Sequence, residues 1–213
     1  MKIKQQKQIK EFLNVEFGMN KGKELFDEQE IVLDELIKNI KNKSGNQKKT
    51  LIQTILPRIA LYKAMLKGGL SDEEVYQHMQ KYMIDIVAKQ KHMSMKKMEK
   101  IPYFYFLYSN IFLRVVRKTD LWKSTQKHGK NYFDVTMKRC LWHTACIEND
   151  CAKLCHLFCD VDNVTYGKLK KLGFSRTKTL GYGGDCCDFH FYKKVIEHIT
   201  KRPIGKLQAN GFD

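Results

Sequence analysis

The apolar residues of this chain change period along its length, and that change restricts the fold more than any other feature. Leu25, Leu33, Leu36, Ile37 and Ile40 mark one helical face, and Val75, Met79, Tyr82, Met83 and Ile86 mark another. From Tyr132 to Lys138 the pattern alternates instead, with Phe133, Val135 and Met137 facing one way and Asp134 and Thr136 the other. A repeat of two residues belongs to a strand with one buried face. The expected class is α+β: a helical N-terminal half packed on a C-terminal α+β unit with an antiparallel sheet.

Local signals place the elements. Met1 to Glu16 is polar and basic and reads as a frayed helix, and Lys41 to Lys49, with Ser44, Gly45 and Asn46, reads as a loop. Pro57 fits the first turn of a helix, or a kink in one, and Gly68-Gly69 ends the amphipathic stretch beyond it. Ser71 and Glu74 have the spacing of a capping box. Met79 and Met83 read as core filler, and His78 and His92 as surface residues. Ile101 to Val116 contains Pro102, Ser109, Asn110 and Arg114, and falls short of the roughly 20 apolar residues of a membrane span. It reads as a core helix or a helix–strand transition. Cys140 to Cys159 reads as two short helices broken near Asn149-Asp150. Phe174–Leu180 and Cys186–Tyr192 read as strands, joined by Gly181–Asp185 into a Cys-rich β-hairpin. The expected organisation is a mainly helical part over 1–100 and an α+β part over 101–213, integrated as one domain.

With 213 residues, 43% of them hydrophobic, the chain has the material for a sizeable core. Its formal charge of +16 divides into +7 over residues 1–100 and +9 over the remainder. An excess spread so evenly lacks the basic stripe of a nucleic-acid module, so no specific nucleic-acid partner is expected. A solubility effect accounts for it.

The chemistry concentrates late. No cysteine precedes Cys140, and all seven lie between there and Cys187. The number is odd and the start is polar and Lys-rich, without a secretory signal pattern; free thiols in a reducing cytoplasm are expected. Cys151, Cys155 and Cys159 would stack along one side of a helix. Cys146, Cys151 and Cys155 read first as buried structural thiols. His143 and His156 stand close by in sequence, but four ligands at zinc-knuckle spacing do not occur, so neither a metal nor a cofactor is expected.

On the last strand Cys187 shares a face with Phe189 and Phe191, either as a core thiol or as the floor of a pocket. Asp185 is a hairpin cap or an acid beside that pocket. Arg176, in the preceding strand beside Thr177, suits a carboxylate held by two parallel hydrogen bonds; a solvated strand face with Lys178 is the equal alternative.

Taken in order, Arg139-Cys140, Phe158-Cys159-x-x-Asp162, Phe174-Ser-Arg176-Thr-Lys-Thr-Leu180 and Gly183-Gly184-Asp185-Cys-Cys187-Asp188-Phe189 resemble the L-2-amino-thiazoline-4-carboxylic acid hydrolase family. A weaker likeness covers Leu56-Pro57, Leu61-Tyr62-Lys63-Ala64 and the helix start at Ser71. The resemblance implies hydrolytic opening of a cyclic amidine-like carboxylate, at a C–N bond, to a carbamoyl amino acid. Under it, Arg176 and Thr177 hold the substrate carboxylate. Cys159, then Cys140 or Cys187, is the candidate nucleophile, and Asp162, then Asp185, the candidate proton carrier. Water activated by an aspartate serves equally well. The expected partner is a small-molecule carboxylate, with self-association left open. A non-enzymatic small-acid sensor and a metal-dependent hydrolase are the competing classes. A cavity where Arg176, Asp162 and a motif cysteine meet would favour the enzyme, and a wholly apolar one the sensor.

Overall fold

A computed structural model of the chain describes residues 5–194. Helix α1 (Gln5–Lys38) breaks at Gly18, whose φ of 78° lies in the left-handed region. The chain doubles back there: a β-carbon on Gly22 would stand 2.6 Å from the Leu13 carbonyl oxygen. In a straight helix those residues are about 13 Å apart. The polar N-terminal stretch therefore contributes buried Ile9, Phe12 and Leu13 to the core, in place of the fraying expected over the described residues.

The expected loop from Lys41 ends at Ser44. There a capping box with Gln47 starts α2 (Gly45–Thr50), which runs through a π-helical segment (Leu51–Ile55) into α3 (Leu56–Lys67). Pro57 explains the widening. It has no N–H for the Gln53 carbonyl, and Leu56 N–H reaches Leu51 instead. The freed Gln53 oxygen accepts from Gln5 Nε2 at 2.7 Å. Helix α4 (Asp72–Gln80) begins with the Ser71–Glu74 capping box and passes through a second π-helical segment (Lys81–Ala88) into α5 (Lys89–Met98). The extra residue rotates the buried face from Ile86 to Val87 and Ala88.

Ile101–Val116 resolves into helix α6 (Phe104–Lys118). Among the described residues no helix is long and apolar enough to cross a membrane. Strands β1 (Trp122–His128) and β2 (Tyr132–Cys140) follow, then α7 (Leu141–Glu148), α8 (Ala152–Tyr166), β3 (Leu172–Ser175) and β4 (Cys187–Lys193). The break between α7 and α8 falls at Asp150, whose φ is 54°. The antiparallel sheet has the order β1-β2-β4-β3, with Phe133 opposite Phe191 and Phe174 opposite Phe191 on the other side.

The two last strands pair as expected, but β3 stops at Ser175, short of the expected Leu180. The Asp188 carboxylate is the cause. It accepts the backbone N–H groups of Thr177 and Lys178 at 3.0 and 2.8 Å and the Thr177 hydroxyl at 2.5 Å, pulling the chain off the ladder. Arg176 thus leaves the sheet and stands in the connection, which closes through a 3₁₀ turn at Leu180–Tyr182 capped by Thr179.

Two apolar clusters form the interior. One joins α1, α3, α4, α7 and most of α8; the other packs α6 and the end of α8 on the sheet face carrying Phe133, Val135, Phe189 and Phe191. Helix α8 passes from one to the other, and the seam beside it is the site.

Candidate active site

A cavity of about 260 Å³ opens along that seam. Cys155, Phe158, Cys159 and Asp162 line it from α8, Met137, Cys140, Cys187 and Phe189 from the sheet, and Arg176, Leu180 and Gly181 from the β3–β4 connection. Arg58, Lys91, Trp122, Trp142, His143 and Tyr166 complete it. Its size is below the roughly 300–1,000 Å³ of drug-sized clefts and suits one small molecule. Trp122 and Trp142 stack in parallel, with ring centroids 5.5 Å apart, as one wall.

Five of the sequence-derived site residues converge here: Cys140, Cys159, Asp162, Arg176 and Cys187. Two stand outside. Asp185 is exposed and bound by Lys178 at 2.6 Å and Lys138 at 3.4 Å, which hold its pKa down at about 2. Thr177 is exposed and committed to Asp188.

The Arg176 side chain is 7% exposed, so the solvated-face alternative does not describe it. Its Nη2 donates to the Cys159 carbonyl at 2.8 Å. Asp160 and Asp162 lie at 3.7 and 3.9 Å, beyond hydrogen bonding, and Nη1 is buried without a partner. The guanidinium is anchored at one corner and leaves donors for an anion.

Asp162 sits one turn beyond Cys159. The exposed remainder of its side chain (31%) lines the cavity and an adjoining groove. Burial raises its pKa from 3.8 to about 6, against the pull of Lys91 and Arg176. A carboxyl poised there exchanges protons near neutral pH.

The thiols differ. Cys140 occupies the N-cap of α7, where the amides of His143 and Trp142 favour the thiolate without a cap hydrogen bond, yet burial pushes it up to about 12. Cys187 accepts from Leu180 N–H at 3.3 Å, and its burial likewise outweighs that bond and Arg176. Cys159 is raised by its contact with Cys155 and by burial. Cys155 alone moves downward, because the Cys146 and Cys159 thiols can donate to it, with His143 and His156 adding positive potential. All seven cysteines are unpaired.

The 3₁₀ turn fixes this row of sulfurs. Tyr182 stacks on His156 with centroids 4.2 Å apart and donates its hydroxyl to Asp160 at 2.7 Å. Gly181 is thereby pressed on Cys155 and Cys159, whose sulfurs would lie 3.1 and 2.8 Å from a β-carbon there. Among the described residues no group of three or more His, Cys, Asp or Glu side chains is placed to hold a metal ion.

Sequence reasoning missed Arg58, Lys91 and the tryptophan pair, and read Cys155 first as a buried structural thiol. Arg58 and Lys91 each stand three residues beyond a π-helical segment, and such segments recur at functional sites. The Pro57 that forces the first was visible in the sequence; nothing marked the second.

Residues 48–191 match the family model described as L-2-amino-thiazoline-4-carboxylic acid hydrolase. No curated protein matches the chain. Among solved structures, "Crystal structure of Fe(II) unliganded H-NOX protein from K. algicida" aligns at 10% identity and a TM-score of 0.34, over 93% of this chain and 99% of that one. A likeness that slight carries no inference about ligand or activity.

Proposed function

The chain belongs to the L-2-amino-thiazoline-4-carboxylic acid hydrolase family, and we propose that it hydrolyses a small cyclic amidine-like carboxylate in the cavity beside α8. The observation that carries this reading is the meeting of Arg176, Asp162 and the three motif thiols in one small cavity. A sensor for an acid needs the guanidinium alone; the carboxyl and thiols that meet it in the cavity are the groups that hydrolysis adds.

Arg176 takes the substrate carboxylate and fixes the ring. Asp162, ionised, accepts a proton from water as its oxygen bonds to the amidine carbon. The same carboxyl then returns the proton to the ring nitrogen as the C–N bond breaks. The hydroxyl proton of the tetrahedral centre passes to the freed amine, leaving a carbamoyl carbonyl. Water-first addition is favoured over attack by a motif thiol because Cys140, Cys159 and Cys187 all have raised pKa values and are poor thiolates at neutral pH, while Cys155, the one thiol moved downward, is 2% exposed, tied to Cys146 and Cys159 and covered by Gly181.

Incubation of the purified protein with 2-amino-thiazoline-4-carboxylate, with products followed by mass spectrometry and amine and thiol reagents, tests the reading. C–N cleavage yields a new amine and no new thiol. A new thiol would place the cleavage at the C–S bond, and an unchanged substrate would count against a thiazoline.

A further inference from the structure

The cavity holds more buried positive charge than one carboxylate can answer. Arg58 projects from α3, on the helical side, whereas Arg176 comes from the β3–β4 connection. Arg58 is 5% exposed and its Nε is buried without a hydrogen-bond partner, as is Nη1 of Arg176. The Tyr82 hydroxyl and the Phe158 ring, 5.7 Å from the guanidinium carbon, stand against Arg58, and among the described residues no carboxylate pairs with it. Lys91, itself exposed to solvent, adds a third cation at the rim of the lining, and among the described residues Asp162 is its one carboxylate.

A buried guanidinium without a countercharge is costly. Lys91 and Arg176 both act on Asp162, so that one carboxylate is shared between two cations. A substrate with one carboxylate on Arg176 would leave Arg58 unanswered across the same small space.

We infer that the natural ligand carries two anionic groups, of carboxylate size, one held by Arg176 and the other by Arg58. This rests on the reading of the cavity as a substrate site, and it departs from a monocarboxylate such as 2-amino-thiazoline-4-carboxylate. The cavity volume limits the ligand to a short dicarboxylate skeleton or a small ring bearing two acids.

Calorimetric titration of the full chain at physiological salt tests this, using straight-chain dicarboxylates from succinate to pimelate, each against the monocarboxylate of equal carbon number. At least one dicarboxylate is expected to bind about tenfold or more tighter than its partner, the factor one charge-assisted pair supplies. No preference at any length would overturn the inference. In Arg58→Gln the preference should fall to about twofold or less, since general attraction to a cationic protein would survive the change. A folded Arg58→Gln that keeps the full preference removes Arg58 from the assignment. If that variant does not fold, Arg58→Lys, which keeps the charge but loses the fork, should retain part of the preference, and the wild-type series decides by itself. These are binding ratios, so a failure to hydrolyse thiazolines leaves them standing.

Discussion

Gly181 and Cys159 touch so closely that a β-carbon on the glycine would stand 2.8 Å from the cysteine sulfur. The contact ties the 3₁₀ turn of the β3–β4 connection to α8 and fixes the thiol side of the cavity. Gly181→Ala should destabilise the fold by about 1–3 kcal/mol through overpacking. Much of that loss should return in a Cys159→Ala background, because the sulfur is the nearest obstacle. Denaturant unfolding of the four proteins measures the coupling; strict additivity would show that the turn does not bear on Cys159.

Arg176 is held by a single strong hydrogen bond, to the Cys159 carbonyl, and keeps Nη1 unpaired. Arg176→Lys retains the charge and loses the planar fork. It should raise KM or Kd by the equivalent of about 1–3 kcal/mol, with a smaller effect on kcat. Unchanged constants in a folded variant would return Arg176 to a structural role.

The raised pKa of Asp162 has a stability consequence with a definite sign. The folded state holds this proton up to about pH 6, whereas the unfolded chain releases it near the ordinary 3.8. The folded state therefore loses stability as pH rises through that window, by at most about 3 kcal/mol and less for the part of the side chain in water. Asp162→Asn should consequently be more stable than wild type at pH 8 and no more stable at pH 3.5. Melting curves at the two pH values check it; an equal effect at both would mean that ionisation of Asp162 is not the cause.

Turnover carries the same signature. With Asp162 as base, kcat/KM should rise through about pH 6 and level off above it. A thiolate nucleophile among Cys140, Cys159 and Cys187 would instead keep the rate climbing well above neutrality.

Much of the fold was legible because it rests on local patterns. The alternation at Phe133, Val135 and Met137 gave β2, and the Ser71–Glu74 box gave the start of α4. Strand β1 escaped notice because Lys123, Ser124, Thr125, Gln126 and Lys127 carry no apolar alternation; pairing with β2 makes it a strand. The early end of β3 was equally hidden, since it depends on the Asp188 side chain outcompeting a backbone ladder. In the site, Arg176, Asp162 and the motif cysteines were readable as residue types at recognisable spacing. Arg58 and Lys91 reach the cavity only through tertiary packing of helices distant in sequence.

Side-by-side turnover of 2-amino-thiazoline-4-carboxylate, taken as a model substrate for the cyclic amidine carboxylates, by wild type, Asp162→Asn, Cys140→Ser, Cys159→Ser and Cys187→Ser is the most direct test of the proposed chemistry. Loss of the proton carrier should cost about a hundredfold or more in kcat, while each folded serine variant stays within a few-fold of wild type. A cysteine variant that abolishes turnover while Asp162→Asn retains it would contradict the account and make that thiol the nucleophile.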